Sequence, residues 1–416
     1  MTGLDTLEPS LSLRSPGRPG SPTSFFPRLS LPDTVVLGLF GLLNAAYVAY
    51  IAGMFDATWY YRLYAVLVLA VAGRFAVRLC CPGVDAATIT AIRRHVPMIL
   101  AIVYLLGFSF LVQVAHGLGV QSFTINEVSY LVGPLVIGVA VGASVPAVQD
   151  LFVWILLARY LALFVVQFGS TFSLAALTEI SWEDSASPFE SSTAHDVLAL
   201  EMVFLAKGRR VWAGVCTVLV LLSLKRASFI LSLVLWLVVR VLDRPLNNRV
   251  RAHLILVVAA LAGTGLTWVL FSPAGCLWFQ ARTGIDLNAA TTGRVDIFRI
   301  VTEQLPDPIG LGSINARLSE LVEGAFGTTW NGAFHNDTLR LALEVGWPGL
   351  AFYLCGLAAI ARRSRWSVVL CGYTFFVLVS SRLITHMSFW VALYVALNVL
   401  ETPTVGREHY DGGRRS

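Results

Sequence analysis

Twelve long apolar runs, separated by polar connections, constrain the fold of this chain more than any other feature. A membrane-spanning helix needs about 20 mostly apolar residues, and inside the bilayer its backbone groups must bond within the helix. The composition agrees, because 56% of the residues are hydrophobic and only 13% are charged. These proportions exclude an ordinary soluble globular domain. We therefore predict an all-α polytopic membrane protein with about twelve transmembrane helices.

The apolar runs divide the chain into five parts. Residues 1–33, rich in Pro, Ser and Gly, are expected to form a disordered tail, and residues 401–416 form a second tail. Nine spans occupy 34–271, with an outer loop at 169–194, and three more occupy 347–400. A large loop, 272–346, lies between these two groups. The runs lie near 34–54, 63–80, 96–115, 129–148, 151–168, 195–206, 211–224, 229–242, 254–271, 347–361, 367–381 and 387–400.

The basic residues predict how the spans are oriented, because Lys and Arg concentrate in cytoplasmic loops. With both termini in the cytoplasm, nineteen of the thirty basic residues fall on the cytoplasmic side. Arg74 and Arg159 lie within spans. Nine fall outside: Arg62, Lys225, Arg226, Arg282, Arg294, Arg299, Arg317, Arg340 and Arg382. The net charge of +5 therefore reflects membrane orientation and contact with anionic lipids, and it gives no indication of nucleic-acid binding.

The large loop carries the clearest polar signals in the chain. "GRVDIFRIVTEQL" places Ile297, Val301 and Leu305 at four-residue spacing, which predicts an amphipathic helix that ends at the following prolines. "GLGS" should then form a flexible turn. "INARLSELV" predicts a second helix, with its apolar stripe on Ile314, Leu318 and Leu321.

A third helix of the loop begins at "HNDTLRLALEVG". Asn336 or Asp337 can cap its start and Gly346 lies near its end, so His335 stands at an ordered helix start. Arg340 and Glu344 are four residues apart and can form an ion pair, or they can flank a site for a polar ligand.

Metal-binding signatures are missing from the sequence. It contains no CxxC, HxxxH or HExxH motif and no DxD pair of the kind that holds a divalent cation on a sugar nucleotide. We therefore expect no metal site and no cofactor.

The ordered polar motifs resemble the signature of the O-antigen ligase and polymerase superfamily, bacterial inner-membrane glycosyltransferases with a multi-spanning C-type fold. The matching residues are Gly293-Arg294, Pro308, Gly310-Leu311-Gly312, His335-Asn336, Leu339, Glu344, Gly346 and Gly349. A basic turn between two spans, "LSLKRASF", adds Lys225-Arg226. The family's usual serine before the turn arginine is replaced by Lys225, and Asp337 is an unusual acidic residue after Asn336.

The resemblance implies transfer of a glycan from undecaprenyl diphosphate to an acceptor hydroxyl at the periplasmic face of the inner membrane. Arg226 and Arg294 would stabilise the diphosphate leaving group, and His335 would take the acceptor proton. Lys225, Asn336, Arg340 and Glu344 are the predicted substrate-binding residues, together with Arg159, which either holds the lipid diphosphate or pairs with Glu201. The expected mechanism is metal-independent and inverting.

The identity of the acceptor distinguishes the two implied activities, polymerase and ligase. A growing O-antigen or exopolysaccharide chain would make the protein a polymerase, our preferred interpretation, and a lipid A core or a protein would make it a ligase. Membrane lipids and polysaccharide assembly proteins are the other expected partners. Two alternatives stay open: a transferase that uses a polyprenyl monophosphate sugar, with Asp56 as base, and a lipid-linked oligosaccharide flippase or solute transporter.

Overall fold

A computed structural model describes residues 30–80, 86–119, 121–171, 193–223, 226–244, 246–291, 293–327 and 334–402. Several predictions lie outside these residues: most of both tails and of the outer loop at 169–194, Lys225, and the side chain of Arg226.

The described residues fold almost entirely into sixteen α-helices. They are α1 (Leu31–Ile51), α2 (Ala57–Cys80), α3 (Ala86–Ala115), α4 (Ser122–Gly142), α5 (Pro146–Thr171), α6 (Thr193–Ala206), α7 (Arg210–Leu222), α8 (Arg226–Leu242), α9 (Arg249–Phe271), α10 (Pro273–Thr283), α11 (Leu287–Ala290), α12 (Arg294–Gln304), α13 (Ser313–Phe326), α14 (Asp337–Ala358), α15 (Arg365–Ser380) and α16 (Met387–Glu401).

Each of the twelve predicted apolar runs overlaps a helix, although the run 129–148 extends past the end of α4, and not every helix is long enough to cross a membrane. Among the described residues, seven helices have the length and composition of a span: α1, α2, α3, α4, α5, α9 and α14. The remaining five, α6, α7, α8, α15 and α16, have 13 to 17 residues. At 1.5 Å per residue they reach roughly 20 to 26 Å, short of a hydrocarbon layer of about 30 Å. The structure is that of a helical membrane protein with seven candidate spans.

The centre of the bundle is formed by α6 and α16, which pack against each other and are both buried along nearly their whole length. The two carboxylates in α6, Asp196 and Glu201, are buried, and a buried charge needs polar partners. Asp196 accepts a hydrogen bond from Tyr160. Glu201 accepts hydrogen bonds from Ser232 at 2.8 Å and Thr217 at 3.0 Å.

The two arginines predicted within spans have structural partners. Arg74 forms an ion pair with Asp33 at the start of α1. The guanidinium of Arg159 lies 3.9 Å from the ring centre of Tyr47 and donates a hydrogen bond to Asn44 at 3.3 Å. The suggested pair of Arg159 with Glu201 is therefore wrong, since an aromatic face stabilises the buried cation instead.

Polar contacts gather at the two opposite ends of the helices. At one end, Arg94 donates to Asn398 at 3.0 Å and to the backbone oxygen of Leu397 at 2.8 Å. At the other end, the backbone amide of Leu311 donates to Ser109 at 2.9 Å, and that of Asp337 donates to Ser381 at 3.2 Å. Helix ends that the charge pattern assigns to the same side of the membrane thus contact one another.

The segment after α9 is ordered by its own small hydrophobic cluster. Both predicted amphipathic helices are confirmed as α12 and α13, and α12 ends just before Pro306. Their apolar stripes meet, because Ile297 and Val301 of α12 pack with Ile314 and Leu318 of α13. Phe334 and Leu339 join the same cluster, so it also holds the start of α14.

Helix α14 is broken near its middle. It continues to Ala358, beyond the predicted end at Gly346, but Gly346 has a left-handed φ of 75° and a ψ of 166°, and Pro348 follows. Proline cannot donate to the preceding turn, and glycine accepts a positive φ without steric cost. The predicted boundary between the large loop and the next span therefore lies at a kink within one helix. The half-helix 337–345 carries the polar motif.

Candidate active site

A narrow cleft brings together predicted site residues from separate parts of the large loop. Arg294, His335 and Asn336 line it, and Phe271, Ile297 and Phe334 form its apolar wall. Its enclosed volume of about 10 Å³ has room for roughly one water molecule. A ligand larger than a water molecule would therefore lie across the mouth of the cleft rather than within it.

Asn336 holds the floor of this cleft through helix capping. Its side-chain oxygen accepts from the backbone amide of Leu339 at 2.9 Å and from the hydroxyl of Thr338 at 3.0 Å. Of the two caps that the sequence allowed, Asn336 or Asp337, the structure has Asn336. His335, immediately before the cap, is exposed and its backbone direction is set by the capped turn.

Arg294 is the first residue of α12 and is partly desolvated. One of its terminal nitrogens donates to the backbone oxygen of Ser380 at 3.0 Å. Its Nε is buried and has no hydrogen-bond partner among the described residues. Burial lowers the pKa of the guanidinium. Among the described residues this partly buried cation has no carboxylate partner, so Arg294 is suited to contact a phosphate oxygen.

Arg340 lies behind the cleft at the hub of a buried ion network. Its side chain is fully buried and contacts three carboxylates: Glu127 of α4 at 2.9 Å, Asp337 at 3.2 Å and Glu344 at 3.4 Å. The predicted pair with Glu344 is thus present but is the longest of the three. Since no part of Arg340 reaches the surface, direct contact with a substrate does not fit its position.

Glu344 holds Gly310-Leu311-Gly312, the glycine turn that precedes α13. Its two carboxylate oxygens accept from the backbone amides of Gly312 and Ile314, both at 2.9 Å. The backbone amide of Gly310 donates to the backbone oxygen of Glu344 at 3.1 Å. The predicted "GLGS" turn is therefore present, and hydrogen bonds to Glu344 hold it. Although Glu344 opposes the dipole of its own half-helix, it lies at the positive N-terminus of α13.

Sequence reasoning did not identify Glu127 or the role of Asp337. Asp337 accepts hydrogen bonds from the backbone amides of Leu383 and Ile384, the second at 2.6 Å. Glu127 also accepts from Asn315 at 3.2 Å. A carboxylate just before an apolar run, within the helix that contains the run, is the signal that could have directed attention to Glu127, because such residues need a buried partner.

Comparison with known proteins does not add to this geometry. No family model matches the chain, and no curated protein matches it. The resemblance to the O-antigen ligase and polymerase superfamily stays a prediction that rests on the motif residues.

The other predicted site residues lie apart from the cleft or outside the described part. Arg226 is the first residue of α8, two positions before Ser228. Ser228 forms a buried group with Tyr373 and His195, at 2.6 Å and 3.2 Å from its hydroxyl oxygen. Arg159 lies within the bundle. Asp56 is exposed and caps α2 by accepting from the backbone amide of Thr58 at 2.8 Å.

A larger cavity of about 450 Å³ lies between α5 and α7. Aliphatic residues, a glycine and one phenylalanine line it: Leu161, Phe164, Val211, Gly214, Val215, Val218, Leu219 and Leu222. This surface suits a lipid chain and offers no group for acid–base or phosphate chemistry. Within the described ranges, no group of three or more His, Cys, Asp or Glu side chains is arranged to hold a metal ion.

Proposed function

We propose that this protein is a membrane glycosyltransferase of the O-antigen polymerase and ligase type. It transfers a glycan from undecaprenyl diphosphate to a sugar hydroxyl, and the preferred product is a longer O-antigen or exopolysaccharide chain. The observation that carries the proposal is the shared cleft of Arg294 and His335. A desolvated cation and an exposed imidazole, both at helix starts, supply an anion contact and a proton acceptor at one site.

The proposed chemistry is a single displacement. The acceptor oxygen attacks the anomeric carbon, the bond from that carbon to the diphosphate oxygen breaks, and undecaprenyl diphosphate leaves. The acceptor proton passes to His335. Arg294, with Arg226 from the turn before α8, stabilises the charge that develops on the diphosphate. Direct attack inverts the anomeric centre, and Asn336 keeps His335 at the mouth of the cleft.

The proposed topology has twelve spans, both termini in the cytoplasm and the cleft at the periplasmic face of the bacterial inner membrane. The contacts between helix ends support the alternation, since Arg94 contacts Leu397 at one end while Arg294 contacts Ser380 at the other. In this topology the five short helices cross with the support of the long helices around them. Most of the basic residues mark the cytoplasmic side. The motif residues fall on the opposite side, so we propose that the cleft is periplasmic.

The direct test uses purified full-length protein in liposomes with lipid-linked oligosaccharide extracted from the cells that produce it. A ladder of longer glycans from this donor alone supports a polymerase. Product that forms only after lipid A core is added supports a ligase. Activity should survive a metal chelator. No product under either condition would contradict the proposal.

A flippase or transporter is the second candidate, favoured by one observation. Transporters often bind substrate at broken helices, and α14 is broken at Gly346 beside the buried Arg340 network. Movement of fluorescent undecaprenyl diphosphate across the bilayer, without glycan transfer, would favour this function. The polyprenyl monophosphate alternative relies on Asp56, whose side chain accepts from the backbone amides of Thr58 and Trp59 as a helix cap does.

A further inference from the structure

The network around Arg340 connects the two sides of the cleft. Asp337 directly follows Asn336, and its carboxylate accepts from the amides of Leu383 and Ile384. The backbone oxygen of Ser380, at the start of the same connection, accepts from Arg294. The segment 380–384 is therefore tied to Arg294 at one end and to the His335 helix at the other.

Arg340 is the cation that keeps these parts together. It has ion pairs to Asp337 in its own turn, to Glu344 one turn later and to Glu127 on α4. Through Glu344 it reaches the amides of Gly312 and Ile314 at the start of α13. One guanidinium thus links α4, the glycine turn, the half-helix 337–345 and the segment 380–384.

The charge of the network is balanced by backbone groups as well as by Arg340. Three carboxylates face one guanidinium, and four backbone N–H groups point at Asp337 and Glu344. Glu127 has the fewest partners, because its Oε2 is buried without a hydrogen bond among the described residues. Well-packed apolar side chains would hold the helices together without desolvating charges. Apolar side chains would not orient the backbones at 312–314 and 383–384, whose amides donate to the carboxylates of Glu344 and Asp337.

We infer that Arg340, Asp337 and Glu127 are positioning residues that set the distance between Arg294 and His335 and do not themselves bind the substrate. This inference rests on the proposed function for its catalytic consequence. We expect loss of the network to lower the rate of transfer at saturating donor while donor affinity stays nearly constant. Misplacement of a reacting group by about 1 Å can reduce a rate about 100-fold.

The test compares Arg340→Lys with Arg299→Lys. Both arginines form an ion pair with an aspartate three residues earlier, at 3.2 Å for Arg340 and 3.1 Å for Arg299. The side chain of Arg340 is 0% exposed and that of Arg299 is 51% exposed. Lysine keeps the charge in both variants but replaces the planar five-donor guanidinium with a compact three-donor ammonium, which cannot reproduce the fixed geometry of the contacts. Undecaprenyl-diphosphate oligosaccharide in liposomes is the donor.

We expect Arg340→Lys to lower kcat by about 100-fold with donor KM changed by less than about 3-fold, and Arg299→Lys to match the wild type. Hydrogen exchange should accelerate in peptides covering 310–314 and 381–384 in Arg340→Lys only. An unchanged kcat, or a KM that rises while kcat stays constant, would overturn the inference. If Arg340→Lys does not fold, Glu127→Gln replaces it, with the same direction of change and a smaller loss of kcat.

The exchange measurement separates this inference from the proposed function. If the wild-type protein transfers no glycan, the proposed function fails, and the network is then judged by exchange alone. Faster exchange at both loops in the Arg340 or Glu127 variant supports the network. Exchange that stays at the wild-type rate in both loops overturns it.

Discussion

The glycine turn before α13 gives the most closely defined stability prediction. Gly312 has a φ of 86°, and a Cβ placed on it would lie 2.6 Å from Cγ of Glu127 and 2.8 Å from the backbone oxygen of Phe123. A side chain in the left-handed region costs about 1–2 kcal/mol. Overpacking a buried site costs a further 1–3 kcal/mol or so, and here a backbone atom must move. Gly312→Ala should therefore reduce the free energy of unfolding by about 2–5 kcal/mol.

Gly327, at the other end of α13, provides the matched control. Its φ of 68° imposes the same left-handed strain, but among the described residues no atom beyond its own helix and chain neighbours lies within 4 Å of the position of its Cβ. Gly327→Ala should cost only the backbone term of about 1–2 kcal/mol. Both variants are unfolded by SDS titration in mixed micelles, with helicity as the signal. Equal losses of stability in the two variants would refute the packing of the turn against Glu127 and Phe123.

Three further predictions concern individual side chains. Asn336→Ala should lower the free energy of unfolding by about 1 kcal/mol in the same SDS titration because the cap of α14 is lost, and Asn336→Asp should restore it; no loss in the alanine variant would contradict the capping role. Arg294→Ala should weaken binding of undecaprenyl diphosphate at least 10-fold in a ligand-induced thermal-shift titration, because a hydrogen bond to a charged group contributes roughly 1.5–3 kcal/mol, whereas Arg299→Ala should bind as the wild type does. Asp56→Asn should leave glycan transfer and stability unchanged, since asparagine also caps helices; loss of transfer in this variant would instead favour the polyprenyl monophosphate mechanism.

The helices were predictable from the sequence because local patterns determine them. Four-residue spacing placed Ile297 and Val301 on one face of α12, and the same period placed Ile314 and Leu318 on α13. The structure adds that the two faces meet, which spacing within either helix cannot reveal. The number of membrane crossings was less predictable, because helices of 13 to 17 residues satisfy an apolar pattern without the length of a span.

The environment of the candidate site depends on contacts between distant parts of the chain. Glu127 precedes its partner Arg340 by 213 positions, and nothing in the sequence near Glu127 specifies that partner. Asp337 is an unusual acidic residue after Asn336, but the backbone amides that donate to it are placed by the fold of the segment 381–384. The cap at Asn336 and the break near Gly346 could be predicted from the sequence, because each depends on the residue itself and its neighbours.

The central claim is that His335 acts as the proton acceptor in glycan transfer, and a single-turnover rate measures this most directly. His116 is the control, because it is an exposed histidine at the end of α3, at the same end of the bundle as Ser109 and Leu311. With undecaprenyl-diphosphate oligosaccharide as donor, His335→Ala should slow transfer by about 10²–10⁴-fold, the usual contribution of a general base. His116→Ala should transfer at the wild-type rate. Equal rates in the two variants and the wild type would contradict the claim.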